Sequence, residues 1–98
     1  MIFEIRAQGE TLLDDSLLAM VESSFGELTS GFRDAIDVLS VSISSSDCAQ
    51  PGLVYSCRTV VRLHDRPGFE MMETHADRQL AIEQSALAAY QSLASRLR

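Results

Sequence analysis

The chain has 98 residues, of which 46% are apolar and 22% charged, and a formal net charge of −6 carried against eight arginines and no lysine. That length supports one core and excludes two, and the apolar share excludes a disordered chain. No apolar run approaches the ~20 residues of a membrane span, and the start MIFEIRAQGE lacks the basic and long apolar parts of a secretory signal, so one cytoplasmic domain over residues 1–98 is expected.

Phe3, Ile5 and Ala7 alternate with Glu4, Arg6 and Gln8, the period of a half-buried strand ending at Gly9. TLLD at 11–14 has the form of a capping box, with the Thr11 hydroxyl as cap and Asp14 near the positive helix end. Leu13, Leu17, Met20 or Val21, Ser24 and Leu28 then recur at helical spacing, which predicts a helix over 12–30 stopped by Ser30-Gly31. Gly26 weakens its last turn by about 1 kcal/mol relative to alanine.

VLSVSIS at 38–44 is a second strand, with Leu39, Val41 and Ile43 on a dry face and serines on the other. The loop SSDCAQPG at 45–52 carries a Pro51-Gly52 turn signal. In the third strand, YSCRTVVRL at 55–63, Tyr55, Cys57, Thr59, Val61 and Leu63 point one way, and Ser56, Arg58, Val60 and Arg62 the other. DRPG at 65–68 turns the chain into a short strand, FEMME. THAD at 74–77 is a second capping form opening a helix over 75–97, with Ile82, Ala86, Ala89, Leu93 and Leu97 as its apolar stripe. Arg96 and Arg98 fall in its final turn, where cations suit the helix dipole.

The order β-α-β-β-β-α defines an α+β fold. A strand, a helix and a strand make the first two strands parallel through a right-handed crossover, and two hairpins complete a four-stranded mixed sheet. Both helices bury their stripes by packing on one face of that sheet, which leaves the serine and arginine face open. Cys57, Val61, Leu39, Val41, Ile82 and Leu17 should be buried.

The residues form no catalytic constellation: no glycine-rich phosphate loop, nucleophile elbow or metal-binding helix motif occurs, so no enzyme activity, cofactor or metal is expected. His64 and His75 flank the fourth strand, and with Asp65 they make a weaker case for a metal than for ordinary surface histidines. Cys48 and Cys57 read as reduced thiols, Cys57 packed as a small apolar residue. The carboxylates of the first helix, Asp14, Asp15, Glu22 and Glu27, read as a solvated face.

The arginines carry the functional question. Residues 1–50 hold nine carboxylates against Arg6 and Arg33, whereas residues 51–98 hold five against six arginines; the halves carry −7 and +1, and an anionic partner should be met by the second. Arg58 and Arg62 share a strand face, with Arg66 at the following turn. They suit phosphate oxygens, but spacing alone favours cross-strand pairing with Glu4 or Glu70.

The element order, with VLSVSIS at 38–44, YSCRTVVRL at 55–63 and DRQLAIEQ at 77–84, resembles the ribosome hibernation-promoting factor and ribosome-associated inhibitor A family over nearly the whole chain. In the last string Asp77, Ala81, Ile82 and Glu83 match the family's usual pattern. The resemblance implies the short form of the family, a cytoplasmic translation inhibitor that binds the small ribosomal subunit near the decoding channel and silences idle ribosomes. On that implication Arg58, Arg62 and Arg66 contact rRNA phosphates, Arg6 joins them if the sheet order brings it near, and the protein acts as a monomer. The acidic first half supports the alternative, a regulatory module of the same fold that binds a protein partner.

Overall fold

The computed structural model describes residues 1–9, 13–47 and 52–97. They form β1 (Ile2–Gly9), α1 (Asp15–Ser24), α2 (Gly26–Gly31), β2 (Ile36–Asp47), β3 (Leu53–Leu63), β4 (Arg66–His75) and α3 (Arg78–Arg96). The sheet order is β1-β2-β3-β4, with β1 and β2 parallel and the other two pairs antiparallel, as the α+β reading requires.

One face of the sheet is dry. Leu39, Val41 and Ile43 from β2 and Cys57, Thr59 and Val61 from β3 are buried there beneath Leu17, Val21, Phe25 and Leu28 of the first helical segment and Ala81, Ile82, Ala86, Ala89 and Leu93 of α3. All six residues expected in the core are in it. Two hydroxyls share this space: Ser85 Oγ donates to the Cys57 carbonyl at 3.1 Å and lies 3.1 Å from Thr59 Oγ1. Since Ser85 has one proton, Thr59 donates to Ser85, and both buried groups are satisfied. Burial pushes the Cys57 thiol up to about 11, so it stays protonated and unreactive near neutral pH.

The helices depart from expectation at their starts and at one break. The cap of α1 is Asp14, whose carboxylate accepts from Leu17 N–H at 2.8 Å; Thr11 lies outside the described residues, and Leu13 is exposed, not part of the stripe. The single helix expected over 12–30 is two, divided at Phe25, where φ −95° and ψ 7° turn the chain. The turn drives Phe25 into the core, edge-on to Phe3 with centroids 6.3 Å apart, and Gly26 starts α2 instead of weakening the end of α1. At the second site Thr74 belongs to β4, opposite Ser56, and Asp77 alone caps α3 by accepting from Gln79 and Leu80 N–H. At the second site the carboxylate reaches the orphan N–H groups without the threonine of the supposed box.

The strands are longer than their alternating cores. β2 and β3 pair as far as Asp47 and Leu53, residues 48–51 of the expected loop lie outside the described residues, and β4 reaches from Arg66 to His75, not only FEMME. The β3–β4 hairpin turns at Asp65, in the left-handed region at φ 60°, which aspartate tolerates better than most residues. Beyond it Val61 pairs with Phe69 and Leu63 with Arg66, so β4 holds one extra residue, a bulge at 67–68. Gly68 is required there: a Cβ would press on the Val61 carbonyl oxygen and lie 3.1 Å from Arg62 Cα.

Val41→Ala is expected to remove about 2 kcal/mol of stability and lower the melting temperature by roughly 10 °C, whereas Ser42→Ala on the opposite face should change it little. Equal melting of the two variants in calorimetry would contradict the facing of β2. Gly68→Ala should cost about 1–3 kcal/mol, because backbone and not a flexible side chain must move; denaturant titration measures it.

Candidate nucleic-acid interface

The face of the sheet opposite the helices is organised in rows by the register. Glu4, Ser40, Val60 and Glu70 make one row; Arg6, Ser42, Arg58 and Met72 the next; Gln8, Ser44, Ser56 and Thr74 the third. Val38 stands between Ile2 and Arg62 at the near end. The result is a shallow trough with a floor of Val38, Ser40, Ser42 and Val60, and walls of Arg6, Gln8 and Glu4 on β1 and Arg58, Arg62 and Glu70 on β3 and β4.

Sheet order therefore answers the question about Arg6: it joins the row of Arg58, two strand spacings or roughly 10 Å away across Ser42. Arg62 lies on the same face four residues further along β3. Arg66 is not brought in. Its guanidinium donates to the Arg96 carbonyl at 3.0 Å, at the end of α3, where Arg96 in turn covers the Phe69 ring at 4.6 Å.

Each cation of the central row has a carboxylate beside it. Arg58 donates to Glu70 at 2.7 Å across the β3–β4 pair, and Arg6 donates to Glu4 at 2.9 Å on its own strand. Pairing with Glu70 was legible in the sequence; pairing of Glu4 with Arg6, two residues away on one strand face, was signalled by the same alternation but assigned to the wrong arginine. Arg62 forms no ion pair or hydrogen bond with a described residue. The hydrogen bond from Arg58, and then its charge, hold the Glu70 carboxyl below the usual glutamate range and raise Arg58 correspondingly.

Three guanidinium groups and two carboxylates leave the trough at +1, bordered by hydroxyls and one amide that can donate and accept. Such a surface can take phosphate oxygens, with Ser40, Ser42 and Ser44 within the same strip as secondary donors. It offers no nucleophile with a base. Among the described residues no three His, Cys, Asp or Glu groups converge on a possible metal position, and His64 and His75 sit at opposite ends of β4. No helix among those residues is long and apolar enough to cross a membrane.

The fold and the trough define an α+β protein with one helix-covered sheet face and one open, arginine-walled face. By sequence the chain matches no family model and no curated protein. By structure it is similar to the N-terminal domain of Protein Y from Thermus thermophilus, with a TM-score of 0.80 and 17% identity over all of both chains. It is likewise similar to a ribosomal subunit interface protein from Coxiella burnetii, with a TM-score of 0.81 and 12% identity over 99% of this chain and 98% of that one. The fold is therefore the one implied by the family resemblance, reached with few shared residues.

A measurable consequence concerns Glu70. Its NMR titration midpoint should lie below that of an ordinary glutamate, return to the ordinary value in Arg58→Ala, and shift the same way in high salt. Because the folded-state value is depressed, the pair's contribution to stability is present above the unfolded glutamate pKa and lost as pH falls through the folded one. An unshifted midpoint in the wild type would mean the pair does not persist in solution.

Proposed function

We propose that the chain is a ribosome-associated factor that binds rRNA of the small subunit through the open sheet face, near the decoding channel, and inhibits translation by idle ribosomes. On this reading residues 1–98 act as one non-catalytic domain, in the cytoplasm and as a monomer. The observation that carries it is the whole-length structural similarity to two proteins of which one is called a ribosomal subunit interface protein. The chemistry of the trough supports it: Arg6, Arg58 and Arg62 are exposed, and the carboxylates that hold two of them, Glu4 half-buried and Glu70 exposed, are open enough to solvent to hold them weakly.

Binding exchanges partners. As a phosphate enters, Arg6 and Arg58 turn from Glu4 and Glu70 to its oxygens, while Arg62 engages directly, and counterions condensed on the RNA are released. The two carboxylates make the affinity lower than three arginines alone would give. They also resist non-specific attachment, because only a partner shaped to reach several guanidinium groups at once recovers the loss.

The R6A/R58A/R62A variant should co-sediment with small subunits much more weakly than wild type at low salt. It should also flatten the dependence of binding on salt by at most about three phosphate equivalents. Arg66→Ala should leave both nearly unchanged, since that side chain serves the α3 terminus. A folded triple variant with wild-type affinity and salt slope would remove the trough from the interface. A wild type that does not sediment with ribosomes at all would favour the second reading, a regulatory module binding a protein partner, which the charge of −6 supports.

A further inference from the structure

A second concave surface lies on the opposite side of the molecule, between the first helical segment and α3. Ser23, Ser24, Glu27 and Leu28 line one side, and Glu83, Ala86, Leu87 and Tyr90 the other. It exists because the helix breaks at Phe25, so α1 and α2 do not follow α3 as one rod. The floor is core, since Leu28 and Ala86 are buried, but Leu87 is 50% exposed and Tyr90 37% exposed. Tyr90 is held in place by an edge contact with Phe32, centroids 5.3 Å apart. Glu83, Leu87 and Tyr90 form a stripe at i, i+4 and i+7 on α3, so this helix carries more apolar surface than the sheet covers.

We infer that this groove is a docking site for a basic amphipathic segment of a protein partner, with an apolar side chain seated against Leu87 and Tyr90 and lysine or arginine groups on Glu27 and Glu83. Charge selects this occupant. Among the described residues no cation lines the groove, α1 and α2 carry Asp15, Glu22 and Glu27 without a base, and both rim carboxylates are exposed. Among the described residues Glu83 has one partner, a neutral one, accepting from the Gln79 amide at 2.8 Å. RNA and anionic lipid are repelled by such a rim, and so is the helix layer of a second copy in a chain of net charge −6. A cationic helix satisfies the rim and covers the exposed apolar pair together, the helix-in-groove mode of recognition. This inference does not depend on the rRNA reading, because it uses the other side of the fold.

The probe is a fluorescein-labelled synthetic peptide of lysine and leucine placed at helical amphipathic spacing, titrated with the full chain at low salt and followed by anisotropy and by amide NMR. Saturable binding is expected, with shifts centred on Ser23, Glu27, Leu87 and Tyr90. E27K/E83K should weaken it by about tenfold or more and Leu87→Ser by a comparable factor, with both variants confirmed folded by circular dichroism. R6A/R58A/R62A should bind the peptide as wild type does, which separates this site from the trough. Absence of saturable binding would overturn the proposal. So would equal binding of the same peptide with its residues scrambled out of helical period, or of a leucine–glutamate peptide, or unchanged affinity in E27K/E83K.

Discussion

Ser85 donates its one proton to the Cys57 carbonyl and accepts from Thr59, and this contact governs how closely α3 lies on β3. It tolerates no water and little displacement, because two polar groups with no exposure would otherwise be left unpaired at a cost of about 1–3 kcal/mol each. The small neighbours Ala81, Ala86 and Ala89 let the helix backbone approach to that distance. With α3 so fixed, the layer thickness is set, Ile82 and Leu93 find their places, and the Phe25 turn has a wall to pack against. The dry face thus combines apolar packing, which supplies most of the stabilisation, with a polar contact, which fixes registry.

Alternation made the sheet legible. The period-two pattern of 38–44 and 55–63 allowed one assignment of faces, and Leu39, Val41, Cys57 and Val61, which it placed inside, are inside, since a slip by one residue would have put serines in the core and valines in water. Helix starts were harder to read because threonine and aspartate both cap, and the T-x-x-D form offers the chain two candidates. The break at Phe25 carried only Gly26 as a signal. What fixes it is tertiary: an aromatic side chain with a buried place beside Phe3 outweighs the continuity of one turn. Strand ends were underestimated where pairing continues without alternation, as along Ser44 to Asp47.

For the candidate site, Glu4 and Glu70 were both open as partners of the arginine row until the β3–β4 register chose Glu70 for Arg58, whereas the strand face of Arg58 and Arg62 followed from parity alone. The inclusion of Arg6 did not, because it depends on strand order, which is a property of the whole topology. Arg66 stands apart from the trough for a local reason. A bulge between it and the paired part of β4 breaks the parity that would have placed it on the open face, and the α3 carbonyl takes it instead. The sheet side and the helix side consequently differ in character. One is hydroxyl-rich and slightly positive; the other is acidic with an apolar seam. The formal charge of the whole chain describes neither.

The position of β1 gives the trough an internal asymmetry in time. β1 is an edge strand, hydrogen-bonded on one side only, and its parallel pairing with β2 closes a loop through the whole first helical segment, whereas β2, β3 and β4 are joined by successive hairpins. Such non-local, one-sided pairing forms late and opens early. β4 is an edge as well, but its pairing is a local hairpin, so a partial opening that starts at β1 would take the wall bearing Arg6 and Glu4 and leave the wall bearing Arg58 and Arg62. A ligand that spans both walls would then act as a clasp across the sheet's least durable seam, slowing amide exchange along β1 by occupying the floor between them.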